Sequence, residues 1–422
     1  MADFQKLGRE STEHLQRVIL PFWKNLTDRE HGGYYGLVTD DLAIHRMAEK
    51  GCILNSRILW FFSGVYRMSG DRDALAHARH AYRFLLDAFL DREQDGVFWS
   101  VTADGRPADD SKHCYCHAFA VYALASYAQA ERDDAERAGE ARGLALHLFD
   151  LIEGRMRDQD GYLEAFARDF SPASNEKLSE NGVEAARTMN TALHVLEAYT
   201  ELLLALNEQT PEREIVEEKL ADLLDLFLDR IYLPDKRRLG VFFDKDYRSL
   251  IDLWSYGHDI EAAWLIDRAL ETLKDYPREG EIRAMTATLT DAVYRTAYRE
   301  SGEAAFLLTE RENGVDKENR VWWIQAEAVN GFLNGARRAE KADDTMLAGR
   351  YADAAARIWM YIKEYVVDPR EGSEWFWALN PDGTPDHTYA LADPWKCPYH
   401  NGRMCMMAGT GEQAAKNNGG VI

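Results

Sequence analysis

Ionisable side chains recur inside stretches that are otherwise apolar. His194 sits in RTMNTALHVLEAYTELLLA, His258 and Glu261 in YGHDIEAAWLIDRALETL, Trp323 and Glu327 in RVWWIQAEAVNGFLNGAR, and His400 and Arg403 in CPYHNGRMCMMAG. Burying polar groups without partners costs a few kcal/mol, and an unpaired charge costs more, so these residues either satisfy one another or serve a ligand. Imidazole, with an ordinary pKa of about 6.5, is the side chain best suited to give and take protons near neutrality. Histidines grouped with a carboxylate, two arginines and tryptophans, with no nucleotide or metal motif nearby, suit proton transfer on an uncharged substrate. Aromatic rings in such a pocket stack on sugars. On a reducing sugar, an acid protonates the ring oxygen to open it and a base removes the proton alpha to the aldehyde. The enediolate so formed needs hydrogen-bond donors or positive charge beside it, which Arg57, Tyr115 and Asn190 can supply. Returning the proton to the opposite face inverts C2; returning it to C1 gives a ketose.

A single histidine in an apolar helix ordinarily packs against a hydrogen-bond partner, and Glu261 could simply pair with Arg57 or Arg403. Recurrence is what favours function. His194, His258 and His400 are separated by 64 and 142 residues, about one and two lengths of a repeat that runs through the whole chain. Its mark is a short glycine-aromatic segment: GGYYG at 32, DGVFW at 95, DGYLEAF at 160, LGVFFDK at 239, a weaker SGEAAFL at 301 and GSEWFW at 372. Each precedes a long apolar segment, of which the first two are GCILNSRILWFFSGVYR and HCYCHAFAVYALASYAQ. Between them lie amphipathic stretches such as DALAHARHAYRFLLDAFLD and REIVEEKLADLLDLFLDRIY. A helix apolar around its circumference is enclosed by others, and an amphipathic one covers a core. Six alternating pairs predict an all-α (α/α)6 barrel of six inner and six outer helices with short hairpin-like rim loops. A solenoid of the same hairpins would carry polar capping repeats and more regular periods. No linker divides the chain, so residues 1–412 are expected to form one barrel domain, with 413–422 a flexible tail.

In that architecture Arg57 comes from the first inner helix, Tyr115 from the second, Asn190 and His194 from the third, His258 and Glu261 from the fourth, Trp323 and Glu327 from the fifth, and His400 and Arg403 from the sixth. Spacings of three or four place each pair on one helical face. Inner helices that all begin at the same rim would bring the set to one pocket. Trp322 reads as core. The HCYCH segment at 113–117 looks superficially like a zinc site, but its cysteines fall on other helical faces from the histidines. His77 and His80 read as solvated on an outer helix. GTGEQA at 409 has no strand before it, as a dinucleotide site requires.

A formal charge of −22 argues against nucleic acid and anionic membranes as partners. The start, MADFQKLGRESTEHLQ, has no apolar signal core, and no run reaches the roughly 18 apolar residues of a membrane span. Five cysteines without CxxC pairs fit a reducing compartment. A cytoplasmic protein, monomeric or weakly dimeric, is expected.

The motifs SYGHDIEAAWL, RVWWIQAEA, TMNTALHVLEAYTEL and PWKCPYHNGRMC resemble the N-acylglucosamine 2-epimerase superfamily, and within it the branch acting on cellobiose and mannobiose. The resemblance runs from ILPFWKNLTDREHGGYYG to HNGRMC. It implies an (α/α)6 barrel, no cofactor and no metal, and reversible conversion of the reducing-end glucose of a β-1,4-linked disaccharide such as cellobiose or lactose to mannose. By the same resemblance His258 and His400 form the acid/base pair and His194 is a third essential histidine. Arg57, Tyr115 and Asn190 hold the reacting oxygens, Trp323 and Trp395 stack on sugar, and Glu261 and Glu327 orient histidines or sugar hydroxyls; Arg403, on the same helical face as His400, is a further candidate for binding substrate. KHCYCHAFA departs from the family's usual form at Cys114, Cys116 and His117. An aldose-ketose isomerase or mannobiose epimerase shares the enediolate. An inverting glycosidase using Glu261 and Glu327 is the reading from another class, and a carbohydrate-binding protein on the same fold is the non-enzymatic one.

Overall fold

The computed structural model describes residues 2–417 apart from 176 and 179, with side chains described over 5–409 except at 176, 179 and 180. Its helices in chain order are α1 (Ala2–His14), α2 (Leu20–Asn25), α3 (Cys52–Ser69), α4 (Arg72–Phe84), α5 (Cys114–Ala130), α6 (Ala135–Leu151), α7 (Met189–Ala205), α8 (Pro211–Leu226), α9 (Tyr256–Thr272), α10 (Glu279–Ala297), α11 (Trp322–Lys341), α12 (Thr345–Tyr361) and α13 (His400–Asn417). From α3 onward each odd-numbered helix packs on the next, and α13 packs back on α3. Each also carries an outer partner: α4 on α3, α6 on α5, α8 on α7, α10 on α9, α12 on α11 and α1 on α13. The ring closes, which makes an (α/α)6 barrel and rules out the solenoid. The expected tail at 413–422 overlaps α13, whose backbone runs to Asn417; 418–422 lie outside the described residues.

The two layers follow from their sequences. Almost every residue of α5 is buried, as its apolar circumference demands, whereas α4 buries only a stripe through Ala74, Leu75, Ala78, Ala81, Tyr82 and Phe84. Outer helices begin on legible caps. Asp71, Asp134, Thr210 and Asp344 accept backbone N–H bonds from the first turns of α4, α6, α8 and α12, each such cap being worth about 1 kcal/mol.

A ring of short strands sets the inner helices at one level. Lys50–Gly51, just before α3, pairs with Ser100–Val101 of the next repeat. Lys112–His113, before α5, pairs with Ala165–Phe166, and Arg187–Thr188, before α7, with Phe242–Phe243. Leu253–Ser255 and Arg320–Val321, before α9 and α11, pair with Glu310–Glu312 and Ala378–Leu379. Val38 bonds Ala392 ahead of α13, its N–H donating at 2.9 Å, and closes the circle.

Ion pairs made by buried cations lock that ring. Wide π-helical turns end α4, α6, α8 and α12, and after three of the outer helices an aspartate caps the loop and binds the cation that precedes the next inner helix. Lys50 Nζ donates to Asp28 at 2.7 Å, Lys112 Nζ to Asp91 at 2.9 Å and Arg187 to Asp158 at 2.7 Å. Burial alone would raise the Asp91 carboxyl, but Arg168 and Lys112 hold it well below the usual range.

One sequence reading needs correction here. His77 and His80 are not solvated: His77 stacks on Phe62 with centroids 4.8 Å apart and bonds the Tyr34 hydroxyl at 3.0 Å, while His80 Nε2 meets the Gly33 carbonyl at 2.9 Å. In the HCYCH segment, His117 Nδ1 bonds the His113 carbonyl at 2.8 Å and its Nε2 accepts the Val97 N–H at 3.1 Å. Both nitrogens of His117 are therefore used by backbone, and burial holds its pKa down to about 4. A Cβ at Gly96 (φ +73°) would fall 2.3 Å from that Nε2, so this loop needs glycine. The GTGEQA segment is helical backbone within α13.

Candidate active site

The starts of the inner helices, aligned by the strand ring, enclose a cavity of about 380 Å3. Arg57, Tyr115, Asn190, His194, His258, Glu261, Trp323, Trp395 and His400 all line it. Trp322, read from sequence as core, is buried at 3 % exposure and also forms part of the wall, because its indole leans on Trp377. Glu327 and Arg403 lie behind His400 and do not line the cavity.

Each imidazole is held through Nδ1, which leaves Nε2 as the ring nitrogen available to the cavity. His194 Nδ1 bonds Glu197 at 2.9 Å, His258 Nδ1 bonds the Ser255 hydroxyl at 2.7 Å, and His400 Nδ1 bonds Glu327 at 2.7 Å. Two imidazoles are thus backed by carboxylates and one by a neutral hydroxyl. Trp323 stands between His258 and His400, its ring centroid 4.8 Å from the first and 5.3 Å from the second. This placement depends on Gly257, where a Cβ would lie 2.6 Å from Ile324 and 2.7 Å from Trp323.

Beneath the histidines Arg403 gathers three carboxylates. Its guanidinium donates to Glu261 at 2.5 Å and Glu327 at 2.7 Å, and also to Glu197 and the Tyr399 hydroxyl. Trp264 Nε1 donates to the other oxygen of Glu327 at 2.9 Å. Glu261, Glu327 and His400 are close enough together to chelate a cation, but Arg403 already supplies the positive charge to both carboxylates.

Burial shapes the protonation states. It pushes His258 down to about 3, with His194 repelling a further proton, and pushes His400 well below the ordinary value with help from Arg57 and Arg403. His194 is lowered by burial against the opposing pull of Glu197. Burial would raise Glu197, but Arg403 and then His194 hold it at about 2. Glu261, buried and facing Glu327, is pushed up to about 8. At neutral pH the cavity therefore presents neutral imidazoles beside a Glu261 carboxyl whose ionisation is opposed by burial and by Glu327.

Several buried polar atoms at the wall have no partner among the described residues: Arg57 Nε, Asn190 Oδ1 and Glu261 Oε2. Such atoms are costly unless a ligand or water meets them. Arg57 is otherwise fixed, donating to the Tyr115 hydroxyl at 2.9 Å and the Trp395 carbonyl at 3.3 Å and stacking 4.1 Å over Phe119. At the mouth, Trp377 and Tyr389 stack at 4.2 Å, nearly parallel.

Sequence reasoning missed Glu197, Ser255, Tyr399 and the Trp377–Tyr389 pair. Glu197 had a signal, a glutamate at i+3 from His194 in an apolar helix, and Tyr399 immediately precedes His400. Tyr389 had none, since its partner is set by loop packing.

The sequence profile described as N-acylglucosamine 2-epimerase (GlcNAc 2-epimerase) matches residues 32–401. A cellobiose 2-epimerase of Eubacterium cellulosolvens is 45 % identical over 405 residues, covering 93 % of this chain and 96 % of that protein. One from Ruminococcus albus is 42 % identical over 401 residues, covering 95 % and 97 %. The solved cellobiose 2-epimerase of Bacillus thermoamylovorans superposes with a TM-score of 0.87 at 42 % identity, over 95 % of this chain and 98 % of that one. A D-mannose isomerase structure, at 16 % identity and a TM-score of 0.77, shares the fold. The cavity that the repeat assembles is thus carried on a scaffold whose sequence is matched nearly end to end, and the chain belongs to the N-acylglucosamine 2-epimerase family.

Proposed function

We propose that this protein is a cellobiose 2-epimerase, inverting C2 of the reducing-end glucose of β-1,4-linked disaccharides, cellobiose and lactose among them. The observation that carries the reading is three imidazoles on one cavity, each anchored at Nδ1. After ring opening, a neutral imidazole, His258 or His400, takes the C2 proton. Arg57, Tyr115 and Asn190 meet the enediolate oxygens, and the imidazole on the opposite face, having taken up a proton from solvent or from the sugar's C1 hydroxyl during ring opening, delivers it to C2, while the first imidazole passes its proton back to solvent. Reversal exchanges the two roles. His194, oriented by Glu197, faces the C1 and C2 oxygens. The aromatic walls, Trp323 and Trp395, stack on the sugar, and the open mouth at Trp377 and Tyr389 leaves room for the second sugar. Return of the proton to C1 would make the ketose as a side product.

Hydrolysis by Glu261 and Glu327 is disfavoured. A carboxylate oxygen of each lies within 4.8 Å of the other, and both accept from one guanidinium, whereas an inverting pair needs about 6.5–9.5 Å, and Glu327 does not reach the cavity. Incubation with cellobiose in heavy water tests the proposal by proton NMR. Deuterium at C2 of both the epimer and recovered cellobiose is expected, with formation of the epimer abolished in His258→Ala and His400→Ala. Release of glucose with C2 unexchanged would overturn it.

A further inference from the structure

A second cavity, of about 680 Å3, opens on the outer layer between α10 and α12, against the far end of α11. Its chemistry is opposite to that of the molecule as a whole. The chain has 72 acidic against 50 basic residues, yet this cavity is lined by Arg237, Arg283, Arg295, Arg338, Lys341 and Arg350, with Asp291 its one acidic wall residue.

The charges do not cancel locally. Arg237 and Arg295 share the single carboxylate of Asp291, at 3.0 and 2.8 Å. Arg350 has no carboxylate partner among the described residues; its guanidinium lies 6.0 Å from the Tyr294 ring. The remaining cations are committed: Arg283 pairs with Glu279 at 2.7 Å, Lys341 with Glu271 at 3.3 Å, and Arg338 with buried Asp267 at 2.8 Å. Arg237, Arg295 and Arg350 therefore remain in excess over their acids. Between them and the committed cations the surface is built from small residues, Gly335, Ala339 and Ala287, with Tyr351 alongside. At Gly335 a Cβ would already lie 3.0 Å from Tyr351, so the absence of a side chain there keeps the two helices close.

A concave surface of one charge sign concentrates field and favours a counter-ion. Guanidinium forks match phosphate oxygens in pairs, and an uncharged floor beside them accommodates an organic body. We infer that this groove binds a phosphorylated small molecule, its phosphate against Arg237, Arg295 and Arg350 and its ring over the small-residue floor. The site is separate from the catalytic cavity, which shares no residue with it, and stands or falls independently of the proposed activity.

Titration calorimetry on the full chain tests this with glucose 6-phosphate, inorganic phosphate and glucose as probes. Saturable binding of glucose 6-phosphate is expected, at least tenfold tighter than inorganic phosphate, with none for glucose at this groove. Arg350→Glu, an exposed change that leaves the fold's ion pairs intact, should weaken it at least tenfold, and Arg237→Ala several-fold. His258→Ala should leave it unchanged, and excess cellobiose should not displace it. Absence of saturable binding, binding indifferent to Arg350→Glu, or displacement by cellobiose would overturn the inference. Equal affinity for inorganic phosphate would overturn the role given to the floor.

Discussion

Glu327 accepts the Nδ1 bond of His400 at 2.7 Å on the same oxygen that receives Arg403 at 2.7 Å. His400 is thereby oriented by a carboxylate whose own position is set by a buried arginine. Removing the charge while keeping the shape isolates this function. Glu327→Gln should lower kcat about 10²-fold or more, in the range that positioned proton transfer contributes, with a smaller change in KM. Initial rates of epimer formation by NMR, with a melting curve to confirm folding, check it.

His258 and His400, proposed as the acid/base pair, should separate by isotope. If they act on opposite faces of C2, His258→Asn and His400→Asn each abolish net epimerisation, but each retains slow solvent exchange of the C2 proton from one epimer only. The measurement is deuterium wash-in from cellobiose and, separately, from glucosyl-mannose. Loss of exchange from both epimers in one variant, with full exchange in the other, would mean a single base.

The pH profile follows from the burial of these groups. A base whose pKa is lowered keeps its neutral form to lower pH, so the acid limb of kcat/KM should lie below 6.5; burial puts His258 near 3 and His400 well below its ordinary value. The alkaline limb should fall near 8 if protonated Glu261 is required. Stability has matching signs. Unfolded histidines take up protons below about 6.5 while the buried ones do not, so stability declines as pH falls from there. Glu261, raised above its unfolded value, contributes most below about 4.5, and that contribution is lost as pH rises through about 8. Urea midpoints from pH 4 to 9 in the wild type and His258→Ala would reveal the histidine part as a difference in slope.

Gly257→Ala should act on catalysis through packing. The added methyl would sit 2.6–2.7 Å from Ile324 and Trp323, forcing α9 and α11 apart at the tryptophan that separates His258 from His400. Overpacking of this kind costs about 1–3 kcal/mol. A drop in kcat/KM of tenfold or more is expected, larger than the modest loss in Tm would explain.

Lys112 lies fully buried on Asp91 in the strand ring. Lys112→Met leaves Asp91 with Arg168 as its one cation and should destabilise the protein by about 3 kcal/mol, the lower end for breaking a buried pair. Chemical denaturation measures it, and the C2 exchange assay should remain near wild type at low temperature.

Much of this molecule is written locally. The alternation of all-apolar and amphipathic helices, the glycine-aromatic hairpins between them and the aspartate and threonine caps depend on neighbours three or four residues away, and such short-range patterns survive in a linear text. Their sixfold recurrence already implies that His194, His258 and His400 share one rim. What pairs with what lies beyond that range. Glu197 serves His194 from one turn away but is charged by Arg403 from the last helix; Lys112 finds Asp91 only because a π-turn ends α4 where it does; Tyr389 meets Trp377 across a loop. The protonation states depend on tertiary structure most of all, because desolvation is a property of the closed ring. Each of these imidazoles would titrate near its ordinary value of about 6.5 in the unfolded chain, and closure of the barrel around them is what keeps them neutral at lower pH.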